Sequence, residues 1–430
     1  MNKLTFPQYR QLSGWNALLP PRADIRVLRK EIDVDVAIVG AGYTGIAAAK
    51  RWHEIAPADE IAIIDSSVLG EGSPGRNSGF LLEIALANDA QPKQIQRMQQ
   101  CNQLIAGAMN KIRLAVEESD IDCQLEHTGT YRAAAGSVGA KALEQYRAFL
   151  QAADLPFENL DRNSLQQRLG TSHYQDGLYS PHCYLAQPAA LIKALSQQLA
   201  DEIQLYENTP ATQIQKVNDH WLIETPEGEI KAKKIILANN AFSKMLGVGK
   251  SRMVAIYTYA GLTPPLDNEA LDLFGSDKSW GLLPTHRLGS TLRKTADGRL
   301  MIRSQYDYEK EIQTELVSKE LKKKLLTRYP KAGELEFEHV WGGAVGFTLN
   351  GGAIWGEIKP GLFASSGCNG GGVVKGTLFG ELLADLANGK SVPDVSSLFG
   401  KASWMPGEPF REIGFRVISA LEKYRGRAEL

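Results

Sequence analysis

The fold is indicated most clearly by the stretch Val34-Asp35-Val36-Ala37-Ile38-Val39-Gly40-Ala41-Gly42-Tyr43-Thr44-Gly45, in which an apolar strand runs directly into a Gly-x-Gly-x-x-Gly turn. Gly40 makes the tight turn, Gly42 lets the backbone approach a pyrophosphate, and Gly45 lets the following helix pack closely on the strand. The positive end of that helix favours the phosphates. The stretch therefore predicts a dinucleotide-binding βαβ unit.

A second apolar strand, 61–64, follows the helix predicted at 46–52 and ends at Asp65. Asp65 lies twenty positions after Gly45, where a carboxylate accepts hydrogen bonds from ribose hydroxyls and repels a 2′-phosphate. The site is therefore expected to bind FAD or NAD rather than NADP. The alternative is an ordinary βαβ unit without a cofactor, but strand, turn, helix, second strand and acid all occur in the order that binding requires.

Composition indicates a globular chain of two domains. The 430 residues are 43% hydrophobic and 23% charged, with a formal net charge of -1, and the basic residues are scattered. A nucleic-acid partner is not expected, because it would require a clustered basic face. The four cysteines show no metal-ligand or disulfide spacing, and neither a signal peptide nor an apolar run of about 18 residues is found. A cytoplasmic location without a transmembrane segment is expected.

Further along the chain, two more glycine-rich loops border apolar elements, at 70–79 and 367–372. The pattern also predicts helices and strands elsewhere. The predicted helices are 92–118, 189–200 and 373–387. The predicted strands are 125–134, 212–217, 220–225, 229–238, 253–262 and a hairpin at 291–303 with Asp297-Gly298 as its turn. Because the three glycine loops are far apart in sequence, the cofactor domain is expected to be assembled from discontinuous segments.

From about Asp33 to Gly389 the chain resembles the FAD-dependent oxidoreductases of the D-amino-acid oxidase and glycine/sarcosine oxidase family. The loop Gly72-Ser73-Pro74-Gly75-Arg76-Asn77-Ser78-Gly79 is most similar to the γ-glutamylputrescine oxidoreductase branch, which carries Gly-Arg-Asn-x-Gly beside the flavin. The resemblance implies oxidation of the CH–NH bond of an amine, amino acid or γ-glutamylated amine by hydride transfer to flavin N5, giving an imine that hydrolyses. Oxygen or another electron acceptor would then reoxidise the flavin.

The resemblance also implies a fold class and a division of the chain. The fold is expected to be α/β, with a Rossmann-type FAD-binding domain and a substrate domain built on a mixed, largely antiparallel β-sheet. The predicted division is an N-terminal extension at 1–32, FAD-binding segments at 33–88, 179–245 and 343–399, substrate-domain segments at 89–178 and 246–342, and a helical tail at 400–430.

The motifs and the resemblance together assign FAD contacts to three glycine-rich loops, to two strand ends and to Ala211. The assigned residues are Gly40, Ala41, Gly42, Tyr43, Thr44, Gly45, Asp65, Ser66, Ser73, Arg76, Asn77, Ser78, Gly79, Ala211, Ala238, Asn239, Gly367, Asn369, Gly370, Gly371, Gly372 and Val373. The last loop is expected to face the pyrimidine end of the flavin, where backbone amides stabilise the charge of the reduced ring.

Two departures from the family pattern carry information. Gly371 stands where glycine and sarcosine oxidases commonly have a histidine close to substrate, which puts the inherited substrate in doubt. Family members with covalent flavin use a histidine in the second loop or a cysteine late in the substrate domain. Arg76-Asn77 and the cysteine-free stretch 184–367 offer neither, so FAD is expected to be bound noncovalently.

Catalytic side chains are weakly indicated, because the cofactor performs the hard step. His286 is a candidate proton acceptor, and Lys375 could present positive charge to the reduced flavin or to oxygen. Tyr257 and Tyr259 are candidate pocket residues, with sheet core as the alternative. Arg76 could neutralise the flavin or anchor a substrate carboxylate.

The tail from Phe410 to Leu430 is mildly amphipathic, with apolar residues at helical spacing among arginines and lysines. It is expected to pack on the body or at a subunit contact, and a membrane-surface helix is the alternative. Two other functions stay open at this point. One is a dehydrogenase that passes electrons to a quinone or a protein, and the other is a non-enzymatic flavoprotein.

Overall fold

A computed structural model describes residues 6–84 and 94–430. The helices in these ranges are α1 (Gly14–Ala17), α2 (Tyr43–Ile55), α3 (Ile95–Glu117), α4 (Ser137–Ala152), α5 (Arg162–Leu169), α6 (Pro188–Ser196), α7 (Asn268–Asp272), α8 (Thr314–Arg328), α9 (Val374–Ala387), α10 (Val395–Phe399) and α11 (Phe410–Arg425). The strands are β1 (Glu31–Val39), β2 (Ile61–Ile64), β3 (Phe80–Leu82), β4 (Thr130–Ala134), β5 (Glu158–Asp161), β6 (Asp176–Ser180), β7 (Cys183–Leu185), β8 (Gln204–Tyr206), β9 (Gln213–Val217), β10 (His220–Glu224), β11 (Glu229–Leu237), β12 (Val254–Leu262), β13 (Trp280–Pro284), β14 (Thr291–Lys294), β15 (Leu300–Tyr308), β16 (His339–Phe347), β17 (Ile354–Lys359) and β18 (Leu362–Ser366).

The first sheet has the order β17-β18-β11-β1-β2-β8, and β9 and β10 extend it from β11. β1 pairs in parallel with both β2 and β11, with Val36 opposite Ile61 and Ala37 opposite Ile235. β18 is also parallel to β11. The carboxyl ends of these four strands therefore meet at one edge, which is where open α/β sheets bind their ligands.

Both faces of the first sheet are covered, as expected for a parallel sheet. Val36 and Ile38 of β1 lie in an apolar cluster with α2, α6 and α9, whereas Ala37 and Val39 lie in a second cluster on the opposite face. Helices α2 and α9 approach each other closely, because Gly380 has no side chain. A Cβ at that position would overlap the carbonyl oxygen of Thr44.

The second sheet has eight strands in the order β16-β12-β15-β14-β13-β4-β6-β5. Its pairings are antiparallel except for β13 with β4. The turn between β14 and β15 contains Gly298, whose φ is +80°. The expected fold class, a Rossmann-type domain with a largely antiparallel second sheet, is confirmed. The domain boundaries stay a prediction, since β6 and β16 each cross one of them.

Most predicted elements lie within a few residues of their observed positions. The predicted helix 92–118 corresponds to α3, and its first two residues fall outside the described ranges. The predicted strand 125–134 is shorter than expected, because within it only β4 forms a continuous ladder with neighbouring strands. In the described ranges no helix is both long and apolar enough to cross a bilayer.

The C-terminal helix contacts the body along one side, and the packing expected from sequence, on the body or at a subunit contact, stays a prediction. No residue of α11 is buried. Its inward side makes limited contacts, among them the ring of Phe415 with that of Tyr308 at 5.4 Å. The chain end beyond it is anchored, since Glu429 is 4% exposed.

Candidate active site

One cavity of about 340 Å³ lies at the carboxyl edge of the first sheet. It is lined by the residues that follow four parallel strands, including Gly40 after β1, Asp65 after β2, Asn239 after β11 and Gly367 after β18. The opposite wall comes from β12, β14, β15 and β16 of the second sheet. The two sheets therefore build the site together.

The turn after β1 has the geometry of a pyrophosphate site. Gly40 has a φ of +108°, and a Cβ at Gly45 would overlap the Gly40 carbonyl oxygen. The Asp65 carboxylate accepts hydrogen bonds from the backbone N–H of Ala41 at 2.8 Å and of Ser67 at 3.0 Å. Burial raises the pKa of Asp65, although these hydrogen bonds act in the opposite direction. The carboxylate is thus held in place at the end of the second strand.

The second glycine loop is fixed by Arg76. Its guanidinium donates to the carbonyl oxygens of Glu71 at 2.6 Å, Gly342 at 2.9 Å and Gln11 at 2.8 Å, and it forms an ion pair with the Glu71 carboxylate at 3.3 Å. The guanidinium also lies over the ring of Tyr9, 3.7 Å from its centroid. These protein contacts occupy its donors, which argues against the carboxylate-anchoring role considered from sequence.

The third glycine loop is held by two asparagines. Asn369 donates to the carbonyl oxygens of Gly351 and Gly367 and accepts from the backbone N–H of Thr348. Asn240 accepts from the backbone N–H of Gly367 at 2.9 Å. The loop leads directly into α9, so the backbone donors of a helix N-terminus face the cavity.

Arg303 of β15 lies in the wall formed by the second sheet. Its contacts are long: Nε is 3.4 Å from the Thr258 hydroxyl and Nη1 is 3.5 Å from the Ser78 hydroxyl. Burial lowers the pKa of the guanidinium. Across the described ranges no carboxylate forms a salt bridge with it, so Arg303 keeps donor capacity for a ligand.

Residues 35–386 match the sequence family described as FAD dependent oxidoreductase (DAO). The chain belongs to this family of FAD-dependent oxidoreductases. It is 29% identical over 393 residues to a probable oxidoreductase OrdL of Rhizobium meliloti, covering 88% of this chain and 89% of the relative. It is 26% identical over 381 residues to the gamma-glutamylputrescine oxidoreductase of Escherichia coli, covering 85% and 86%.

The fold of this FAD-dependent oxidoreductase is similar to a solved structure of glycine oxidase from Geobacillus kaustophilus. The TM-score is 0.74 at 20% sequence identity, and the match covers 87% of this chain and 100% of the other. At that identity the likeness concerns the fold alone.

The cavity itself fits FAD. Asn239 Oδ1 is buried without a hydrogen-bond partner among the described residues, so it can accept from a ligand. Asp65 is the one acidic residue among the described lining residues, whereas Arg303 and Lys375 also line the cavity. An excess of positive charge suits a pyrophosphate and a reduced flavin, which both carry negative charge. No described histidine lies in the wall.

The cavity brings together most of the residues predicted to contact FAD. Those in its wall are Gly40, Gly42, Tyr43, Thr44, Asp65, Ser66, Ser73, Arg76, Asn77, Ser78, Ala211, Ala238, Asn239, Gly367, Gly370, Gly371, Gly372 and Val373. Four others, Ala41, Gly45, Gly79 and Asn369, lie behind the wall and fix its loops. For example, a Cβ at Gly79 would overlap Arg293 and the Ala186 carbonyl oxygen.

Two predicted pocket residues lie elsewhere. Tyr257 and Tyr259 belong to the apolar core that packs under α8, and the Tyr259 hydroxyl accepts from the backbone N–H of Ile312 at 2.9 Å. Thr258, between them on β12, lines the cavity. Neighbouring residues of a strand point to opposite faces, so the prediction chose the wrong face of β12.

The two catalytic candidates have different positions. His286 is 5% exposed and lies outside the cavity, where its Nε2 is 3.1 Å from a carboxylate oxygen of Glu422 and its Nδ1 accepts from the Leu288 N–H. His286 therefore contacts the C-terminal helix, and its position outside the cavity argues against the predicted role as a proton acceptor in the reaction. Lys375, in the first turn of α9, lines the cavity.

Sequence reasoning missed the part of the cavity wall that the second sheet and the N-terminal extension contribute. Thr291, Arg303 and Tyr306 come from β14 and β15, and Phe6 and Tyr9 come from the N-terminal extension. A signal for Arg303 was present in its strand, where the arginine directly follows three apolar residues, all of them buried. No comparable pattern marks the N-terminal residues.

Proposed function

We propose that this enzyme oxidises the carbon–nitrogen bond of an amine that also carries a carboxylate, and that the carboxylate binds Arg303. The proposal is supported by Arg303 itself, which is a cation in the cavity wall with two long hydrogen bonds and no salt bridge among the described residues. A guanidinium partly withdrawn from water is costly without an anionic partner. A substrate carboxylate would supply that partner through paired hydrogen bonds.

FAD held by the loops after β1, β2 and β18 would supply a hydride acceptor for the carbon next to the amine nitrogen, and water would hydrolyse the imine. The protein residues have the task of positioning. We infer that Asp65 binds the adenosine ribose and that the loop 367–372 faces the pyrimidine end of the flavin. Arg303 then holds the substrate from the second sheet, on the far wall of the same cavity.

The remaining substrate wall excludes water. Phe80, Leu283 and Phe347 contribute apolar surface to the cavity. An apolar surrounding disfavours an ammonium ion relative to a neutral amine, and only the neutral amine can release hydride readily. Burial raises the pKa of the nearby Tyr306 hydroxyl, so this group stays neutral and acts as a hydrogen-bonding wall residue.

The relatives are compatible with this substrate class. One is named for γ-glutamylputrescine and another for glycine, and both molecules contain an amine and a carboxylate. They differ in the separation of the two groups, which is short in glycine and long in γ-glutamylputrescine. The proposal therefore includes both short amino acids and γ-glutamylated amines.

The test is an anaerobic titration of the FAD-loaded enzyme, in which bleaching of the flavin is followed for matched pairs of amines. Putrescine is compared with γ-glutamylputrescine, and methylamine and dimethylamine are compared with glycine and sarcosine. We expect bleaching by a carboxylate-bearing member and weak or no bleaching by its partner. Equal bleaching by both members of every pair would refute the proposal, as would a flavin that no amine reduces.

Arg303→Met and Arg303→Lys separate binding from folding. A hydrogen-bonded charge contributes about 1.5–3 kcal/mol. We therefore expect Arg303→Met to weaken binding of the carboxylate-bearing amine by roughly 10- to 100-fold, while binding of the partner without a carboxylate is unchanged. Arg303→Lys should recover part of the loss. Oxygen uptake during turnover then distinguishes an oxidase from a dehydrogenase that uses another acceptor.

A further inference from the structure

The C-terminal helix α11 presents an apolar stripe to solvent. Five of its side chains recur at helical spacing, so they share one side of the helix. Val417 is 61% exposed and Tyr424 is 74% exposed, and the other members are also exposed. We call this stripe the C-terminal ridge, and it consists of Phe410, Ile413, Val417, Leu421 and Tyr424.

The helix is fixed with the ridge facing outward. On its inner side Phe415 contacts the Tyr308 ring, and Glu422 is 3.1 Å from His286. Beyond the helix, the Glu429 carboxylate accepts from the backbone N–H groups of Ala135 and Gly136, just before α4. These contacts hold the helix in place, and the ridge cannot turn inward unless they break.

The charges around the ridge are arranged asymmetrically. The acidic residues of α11 are engaged, because Glu412 pairs with Arg416 at 2.7 Å and Glu422 contacts His286. Lys423, Arg425 and Arg427 are exposed and form no salt bridge within the described ranges. The charge available to a partner beside the ridge is therefore positive.

We propose that the C-terminal ridge docks this enzyme on the surface of an anionic lipid bilayer. An exposed apolar stripe flanked by basic side chains is the pattern of interfacial helices, which bury their apolar side at the headgroup boundary and attract anionic lipids. Bilayer charge complements the unpaired cations. A second copy of the chain fits less well, because pairing ridge with ridge would bring those cations together without an opposing carboxylate.

The test is co-sedimentation of the full-length, FAD-loaded protein with vesicles. One set contains phosphatidylcholine alone, and the other an equal mixture of phosphatidylcholine and phosphatidylglycerol. We expect binding to the mixed vesicles, weaker binding at high salt, and little binding to phosphatidylcholine. The readout does not depend on catalysis, so it stands or falls separately from the proposed substrate.

Two matched variant pairs identify the surface. The ridge variant is Ile413→Ser/Val417→Ser/Leu421→Ser, and its control, Leu114→Ser/Leu316→Ser/Leu349→Ser, removes exposed apolar side chains elsewhere. The charge variant is Lys423→Gln/Arg425→Gln/Arg427→Gln, and its control is Lys30→Gln/Lys278→Gln/Lys390→Gln.

The ridge variant should lose at least about tenfold in vesicle affinity, because its apolar area no longer leaves water. The charge variant should lose about 100-fold on mixed vesicles, because each basic residue near an anionic surface contributes on the order of 1 kcal/mol. Both controls should bind like the wild type. Flavin absorbance and circular dichroism verify that each variant is folded.

The proposal is overturned if the wild type stays in the supernatant with both vesicle types, or if the ridge variant sediments as the wild type does. A dimer in analytical ultracentrifugation that the ridge variant abolishes, without vesicle binding by the wild type, would assign the ridge to self-association and also overturn it.

Discussion

Replacing Gly45 by alanine tests the close contact on which the nucleotide-binding turn depends. A Cβ at this position would overlap the Gly40 carbonyl oxygen and lie 3.1 Å from its carbon and 3.3 Å from a methyl carbon of Ile38. The Gly40 backbone cannot move freely, because its N–H donates to the Ile64 carbonyl oxygen at 2.8 Å. The overlap must therefore be relieved by shifting α2 away from β1.

The cost can be set against the gain in helix propensity. Overpacking costs about 1–3 kcal/mol, and the rigid backbone here places Gly45→Ala at the upper end. Alanine in a helix returns about 1 kcal/mol relative to glycine, which leaves a net loss of about 2 kcal/mol. A loss of that size lowers Tm by about 4–8 °C for a domain of 150–250 residues. If the displaced turn also costs about 2 kcal/mol of the free energy of FAD binding, Kd for FAD rises by about 30-fold.

Gly107→Ala is the matched control. Gly107 lies inside α3, and a Cβ there would meet nothing within 4 Å, so the same substitution should raise stability by about 0.5–1 kcal/mol. Thermal unfolding of apoprotein and holoprotein, with a fluorescence titration of FAD, measures both variants. Wild-type Tm and FAD affinity for Gly45→Ala, or equal destabilisation by Gly107→Ala, would refute the reasoning.

Three further outcomes are expected. Burial raises the folded-state pKa of Asp65 above the ordinary carboxyl value of 3.8, so the apoprotein loses stability as the pH rises from that value through the folded pKa. Asp65→Asn should therefore raise the Tm of the apoprotein at neutral pH, and little difference should remain in acid. An equal difference in Tm between the wild type and Asp65→Asn at neutral and at acid pH would contradict this expectation. Lys375→Met should slow flavin reduction by roughly tenfold or more, since it removes positive charge from the cavity. In the same stopped-flow assay His286→Gln should leave the rate of flavin reduction unchanged. A larger effect of His286→Gln than of Lys375→Met would show that His286 acts in the reaction. Acid precipitation should release all flavin into the supernatant, and yellow colour in the pellet would show a covalent bond.

The local pattern of the sequence was sufficient for the nucleotide-binding half. The apolar run of β1, the spacing of its three glycines and the position of Asp65 are properties of about thirty neighbouring residues, so they could be predicted without knowing the rest of the fold. The third loop, 367–372, could be placed for the same reason, because a glycine-rich turn opening a helix is a local arrangement. The resemblance to a family added how these separated loops meet.

The cavity wall formed by the second sheet could not be predicted in this way. All nine residues of β12 are buried, so alternation does not distinguish the face of Thr258 from that of Tyr257 and Tyr259. The choice is made by α8, which covers one face, and by the cavity, which borders the other. Both depend on strands and helices distant in sequence.

Arg76 and Arg303 show the same difference between what a local motif predicts and what the tertiary structure decides. Arg76 stands in a motif and was expected to serve a ligand, yet the backbone carbonyls of Gln11 and Gly342 occupy its donors. Arg303 stands in no motif, and it lies in the cavity because β15 pairs with β12 and β14. The sequence alone determined the nucleotide-binding turn, because that turn is built from local backbone geometry. Only the tertiary structure decided which arginine of the cavity wall keeps donor capacity, because hydrogen-bond partners are contributed by segments far apart in the chain.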